Sequence, residues 1–288
     1  MNFYLGCAVW SHKDWVGNLY PLKSQPRDLL NLYSRRFTTV EGNTTFYAIP
    51  NLATITKWVA QTPLGFKFCP KLYRQITHQG LLAPRIPEAI AFLERISGLG
   101  DRLGTTFVQL PPSYSPEYLA DLTEFLTACS QANLSLALEV RHLDWFKTEA
   151  GNSLNILLQE LNMARVLLDT RPIYNCPDDP QIDSPRKKPQ LPLQEIATGK
   201  IAFVRFISHP DRQYNQTYLT QWAVKLHYWL SQGKIVYFFV HCPQEKRSPD
   251  TARFFYSLLQ KQHLDLNSDT LPWNQIPPET NPTQLSLF

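Results

Sequence analysis

Short apolar runs alternate along the chain with longer segments in which apolar residues recur three and four positions apart. The short runs predict strands at Tyr4 to Val9, Thr38 to Glu41, Gly65 to Cys69, Thr105 to Leu110, Ser135 to Val140, Ala164 to Leu168, Ile201 to Phe206 and Ile235 to Val240. The longer pattern predicts helices between them, most clearly at Arg27 to Phe37, Ile86 to Ile96, Glu117 to Ala132 and Thr217 to Ser231. Ser or Pro opens several of these, as in Ser115-Pro116-Glu117.

Eight strand–helix alternations argue for parallel strands joined by right-handed crossovers. A closed (β/α)8 TIM barrel fits the strand count and leaves no sheet edge, so an α/β barrel is the expected fold. The alternative is a doubly wound open sheet. That fold usually carries a Gly-rich phosphate turn after its first strand, and GCAVWSH is not one. The barrel is expected to span residues 1–264 as a single domain. The Pro-rich, charged segment 171–192 reads as a long loop after strand six. Residues 265–288 read as a Pro-rich, extended C-terminal tail.

Composition narrows the class. The 288 residues are 43% hydrophobic, enough for one large core. Charged residues of both signs make up 18%, which excludes a disordered chain. A net charge of +4 permits contact with phosphates without requiring it. No run of eighteen apolar residues predicts a membrane span, and MNFYLGCAVW lacks the basic and apolar regions of a signal peptide. A cytoplasmic protein is expected. The five cysteines form no C-x2-C pair and are odd in number, which argues against a zinc ribbon and a disulfide framework.

In a parallel barrel, side chains at the C-terminal strand ends face the active-site mouth. Glu41, Glu139 and Arg205 interrupt apolar runs, and a buried charge must be paired or used. These ends also supply Lys71, Arg141, Asp169 and His241. Lys71, Arg141 and Arg205 are suited to a phosphate or carboxylate. Glu41, Glu139 and Asp169 are candidate general bases or ligands of a divalent metal, and His241 and His78 candidate proton carriers or ligands. No H-x-x-x-H pair or tight acidic cluster names a metal, so the cofactor stays unassigned. Asn43 and Gln109 add polar contacts, and Trp10, Phe46, Tyr47 and Trp145 offer an aromatic rim for a base or sugar. Each of these residues also has a plainer reading: internal ion pairs for the charges, packing beneath loops for the aromatics. A G-x-S-x-G elbow is absent, which argues against a Ser–His–Asp hydrolase.

The assembled motifs resemble the YecE-like family, a domain of unknown function, in order along nearly the whole barrel. GCAVWSHKDWVGNLYP (6–21), TTVEGNTTFYAIP (38–50), FKFCPKLYRQITH (66–78), FVQLPPSY (107–114) and LEVRHLDWF (138–146) carry the resemblance. LLDTRP (167–172), FVRFISHP (203–210) and FVHCPQEKRSPDTAR (239–253) follow one branch of it. Gln244 stands where that branch usually has Asp, and Val9 where the family often has a small residue. The resemblance implies a TIM barrel with a charged pocket and implies no reaction.

The tail ends in QLSLF (284–288), which resembles the pentapeptide that binds the bacterial sliding clamp. Leu285, Leu287 and Phe288 would enter an apolar pocket and Gln284 would bond its edge. A hook packing back onto the barrel is the alternative. The expectation is an enzyme, hydrolase or nuclease-like, acting on a phosphate-bearing nucleotide or nucleic acid near replication or repair. The alternatives are a small-molecule isomerase or hydrolase and a non-enzymatic metabolite-binding module.

Overall fold

A computed structural model describes residues 2–184 and 187–261. All eight expected strands are present: β1 (Phe3–Cys7), β2 (Thr39–Gly42), β3 (Lys67–Pro70), β4 (Thr106–Gln109), β5 (Leu136–Glu139), β6 (Ala164–Asp169), β7 (Ile201–Ile207) and β8 (Ile235–His241). Between and after them run α1 (Leu29–Ser34), α2 (Thr44–Tyr47), α3 (Leu52–Gln61), α4 (Arg74–Thr77), α5 (Ile86–Ser97), α6 (Leu119–Ser130), α7 (Thr148–Glu160), α8 (Arg171–Tyr174), α9 (Gln213–Ser231) and α10 (Ser248–Lys261). No helix among the described residues is long and apolar enough to cross a membrane. The strand pairs are parallel throughout.

The expected closed eight-stranded barrel is not formed. Six strands make one open sheet in the order β1-β8-β7-β6-β5-β4, and β2 pairs with β3 in a separate two-stranded sheet. Side-chain hydroxyls account for the break between β1 and β2. Thr38 Oγ1 accepts the Leu5 N–H at 2.9 Å. The Tyr33 hydroxyl accepts the Cys7 N–H at 2.7 Å and donates to the Thr39 carbonyl at 3.0 Å. A tyrosine from α1 thus stands in for ladder bonds, which an apolar pattern does not reveal. Between β3 and β4 only isolated bridges remain, Phe68 to Leu103 and Lys71 to Phe107. The eight strands therefore share a barrel-like arrangement without a continuous ladder.

The strands are buried on both faces, as near-continuous apolar runs require. Alternate residues divide two layers. Tyr4, Cys69, Phe107, Ala137, Val166, Phe203, Tyr237 and Phe239 fill the space enclosed by the strands. Rings stack there, with Tyr4 and Tyr237 centred 4.8 Å apart and Phe203 and Phe239 5.0 Å apart. The opposite residues, such as Leu5, Val204 and Phe238, pack outward against α9 and α10 through Trp222, Leu226 and Phe255. A second outer cluster seats α5, α6 and α7 on Val108, Leu138 and Val140.

Candidate functional site

A strand points successive side chains to opposite faces, so the inward positions fix what reaches the C-terminal mouth. The inward series Phe107 and Ala137 leads two residues on to Gln109 and Glu139. By the same step Phe203 leads to Arg205, Phe239 to His241 and Cys69 to Lys71. Above the apolar plug the inward face turns polar within one residue pair.

Arg205 sits at the centre and is only 3% exposed. Its Nε and Nη2 donate to Glu41 Oε2 and Oε1, each at 2.8 Å, and its Nη1 donates to Glu139 Oε2. Glu41 also accepts from Asn43 Nδ2 at 2.8 Å and His241 Nε2 at 2.9 Å, so both its oxygens are saturated. Arg141 Nε donates to Glu139 Oε1 at 2.7 Å. Gln109 Oε1 receives Arg141 Nη2 and Lys71 Nζ, each at 2.7 Å. Lys71 Nζ lies 3.7 Å from the centre of the Phe46 ring.

The protonation states follow from this packing. Burial alone would push both carboxyls up, but Arg205 and its neighbours outweigh it, holding Glu139 at about 2 and Glu41 well below the ordinary range. Burial, then Arg205, brings Lys71 down to about 7. Burial lowers His241 to about 4, so the ring is neutral at neutral pH and donates its Nε2 proton to Glu41. His78 is also lowered to about 4 by burial and by Lys71, and its Nδ1 bonds Thr77 Oγ1 at 2.7 Å.

Asn43, Lys71, His78, Gln109, Arg141, Arg205 and His241 line a pocket of about 430 Å³, together with Ala8, Phe46, Tyr47, Arg74, Lys187, Lys188, Pro189 and Glu245, and Glu41 and Glu139 are bonded to Arg205 beneath it. The segment after β6 brings its lysines to the rim. The Lys188 N–H donates to Gln181 Oε1 at 2.6 Å, and the Tyr174 hydroxyl bonds the Lys188 carbonyl. Burial raises the Glu245 carboxyl to about 8, and its Oε1 finds no hydrogen-bond partner among the described residues.

Glu41, Asn43, Tyr47, Lys71, His78, Gln109, Glu139, Arg141, Arg205 and His241 therefore meet around one opening. Asp169 does not. It follows inward Val166 and Leu168 out of phase, faces α9, and accepts from Arg171 Nη2 and Trp222 Nε1, each at 2.7 Å. Trp145 is fully buried core rather than rim, with Nε1 donating to the Tyr114 carbonyl at 2.8 Å. Trp10 packs edge-on against Trp58, centres 5.5 Å apart, and borders a separate recess behind Glu41 and Asn43. Gln284, Leu285, Leu287 and Phe288 lie outside the described residues. Arg74, Lys187, Lys188 and Glu245 were not marked by the sequence patterns. The short helix α4 brings in Arg74, a single helical turn after β8 brings in Glu245 and a loop the two lysines, and strand alternation gives no signal for any of them.

Among the described residues, one cluster has metal-ligand residue types: Cys176, Asp178 and His209. Its hydrogen bonds do not suit a cation. His209 Nδ1 accepts the Asp211 N–H at 2.9 Å, which leaves the proton on Nε2, where it points at Asp178 Oδ1 at 3.2 Å. In the pocket, Glu41 and Glu139 have no oxygen free of a cationic or amide donor.

Residues 4–276 match the family described as Protein of unknown function DUF72. The chain belongs to the DUF72 family. It is similar to the UPF0759 protein YecE of Escherichia coli K12, 34% identical over 288 residues and 99% of each chain. It is 29% identical over 151 residues to the UPF0759 protein YunF of Bacillus subtilis strain 168, covering 50% of this chain and 52% of that protein. Two crystal structures of DUF72 proteins share the fold. That from Thermotoga maritima MSB8 superposes with a TM-score of 0.66 at 20% identity, covering 90% of this chain and all of the other. That from Enterococcus faecalis V583 gives 0.63 at 20% identity, covering 90% and 96%. Likeness at that identity concerns the fold, and the DUF72 name carries no reaction.

Proposed function

We propose that the pocket binds a small molecule bearing a phosphate or carboxylate group, and that the protein is an enzyme acting on it. One observation supports this above the others. Lys71, Arg141 and Arg205 converge with Lys187 and Lys188, while Glu41 and Glu139 are already committed to Arg205 and the third acid, Glu245, is pushed up by burial to about 8 and so is largely protonated at neutral pH. Arg141 Nη1 takes no partner among the described residues, and the Arg141 side chain keeps 20% of its surface exposed. A partly open guanidinium beside a buried lysine is an anion site in waiting. A volume of about 430 Å³ suits a sugar phosphate or mononucleotide better than a nucleic-acid duplex.

In this reading Glu41, Glu139 and His241 hold Arg205 in place, Arg141 contacts the anion, and Lys71, Tyr47 and His78 border the rest of the ligand. Calorimetric titration with inorganic phosphate, ribose 5-phosphate and AMP tests it. Binding by the wild type that weakens by about tenfold or more in Arg141→Ala supports the reading, since a charge-assisted bond contributes about 1.5–3 kcal/mol. Equal binding by both proteins, or none by either, counts against it.

A DNA-linked role is a second reading, favoured by QLSLF alone. The pentapeptide would tether the barrel to a sliding clamp through Leu287 and Phe288. Retention of purified clamp by the full chain, lost on removing residues 284–288, supports it. Unchanged retention overturns it.

A further inference from the structure

We propose that Lys71 Nζ is a nucleophile that forms an imine with a carbonyl group of the anionic ligand held in this pocket. The inference rests on the anion-binding reading and goes beyond it, to a ligand that is both a phosphate or carboxylate and an aldehyde or ketone.

Lys71 follows β3 directly and points inward, 5% exposed, at the floor of the pocket. No carboxylate among the described residues pairs with it. Its single hydrogen-bond acceptor is the neutral Gln109 amide at 2.7 Å. The charged groups that face it are Arg205 from β7, Glu139 and Arg141 from β5 and its end, and Glu41 from β2, with His78 beyond α4. Burial and Arg205 bring the ammonium down to about 7, so a large share of the amine is uncharged at neutral pH. Phe46 closes one side of Nζ at 3.7 Å and leaves the pocket side for a carbonyl carbon. The product iminium is again a cation, which that ring face stabilises.

The step balances without an oxidant. The Nζ lone pair adds to the carbonyl carbon, and a proton passes from nitrogen to the former carbonyl oxygen, giving a carbinolamine. An acid then protonates that hydroxyl, the C–O bond breaks, water leaves and the C=N bond forms. Glu245 lines the same pocket. Its carboxyl, raised by burial to about 8, is protonated at neutral pH and is the proton donor closest in character to this task.

The test incubates the full chain at neutral pH with glyceraldehyde 3-phosphate and cyanoborohydride, which reduces an imine to a stable secondary amine, then maps modified peptides by mass spectrometry. The expected result is a reduced adduct on Lys71, lost in Lys71→Arg. Glyceraldehyde without phosphate should label at least tenfold more slowly. Wild-type labelling of Lys71 should also rise through pH 7, where exposed lysines stay protonated. That measurement needs no variant. Adducts on exposed lysines with Lys71 unmodified overturn the imine. If inorganic phosphate still raises the melting temperature in that case, anion binding survives alone. If phosphate has no effect either, both readings fall.

Discussion

Arg205 and Glu41, 164 residues apart, meet through two hydrogen bonds of 2.8 Å, with Glu139 on a third N–H of the same guanidinium. A buried ion is tolerated only when its partners are held ready, and here β2, β5 and β7 each supply one. The triad fixes the guanidinium at the base of the pocket and closes its lower end.

Removing the cation should therefore cost more than removing the triad. Arg205→Ala leaves two buried carboxylates without it and should destabilise by about 3–5 kcal/mol in urea unfolding at neutral pH. Arg205→Met combined with Glu41→Gln and Glu139→Gln should cost less than Arg205→Ala alone. Additive losses would show that the three do not act as a unit.

Below neutral pH, stability should fall in two steps. His241 and Glu139 titrate lower in the folded protein than their ordinary values of 6.5 and 4.5, at about 4 and about 2. The unfolded chain thus binds more protons, and stability falls with falling pH. The His241 contribution is complete above pH 6.5 and fades toward about 4, and that of Glu139 fades from 4.5 toward about 2. His241→Gln should shrink the upper step, which His78 shares because burial lowers it too from 6.5 to about 4, and should leave the lower one, as read from urea midpoints across pH.

Asp169 separates structure from site. Its carboxylate is buried against Arg171 and Trp222 on the outward face. Asp169→Ala should destabilise by about 1.5–3 kcal/mol, the range for charged hydrogen bonds, and leave anion affinity unchanged. A loss of affinity with intact stability would return Asp169 to the pocket.

The break beside β1 also makes a prediction. Tyr33→Phe removes a hydroxyl that serves two buried backbone groups and should cost about 1–3 kcal/mol, with faster amide exchange at Cys7. Gly6→Ala should be worse, because a Cβ there would lie 2.0 Å from the Thr39 carbonyl oxygen. Exchange at Cys7 unaltered by Tyr33→Phe would mean that the hydroxyl does not carry that bond.

Much of this was legible in the sequence. Runs such as IVYFFV read as strands because both faces are buried, and a lone Glu41 or Arg205 inside such a run had to be paired. Strand alternation could also have excluded Asp169, since Leu168 occupies the inward position beside it. The open ladder was not legible. It depends on where the Tyr33 hydroxyl of a helix comes to rest. Lys187, Lys188 and Glu245 were equally hidden, because a loop and a single helical turn carry them to the rim.

Every role proposed for this pocket requires an anion in its mouth. Anomalous diffraction from crystals soaked in tungstate, a phosphate-like ion, tests it most directly. The expected result is a tungsten peak inside the pocket, with a tungstate oxygen at hydrogen-bond distance from Arg141 Nη1. Peaks confined to the outer surface, with the pocket occupied by water alone, would contradict it.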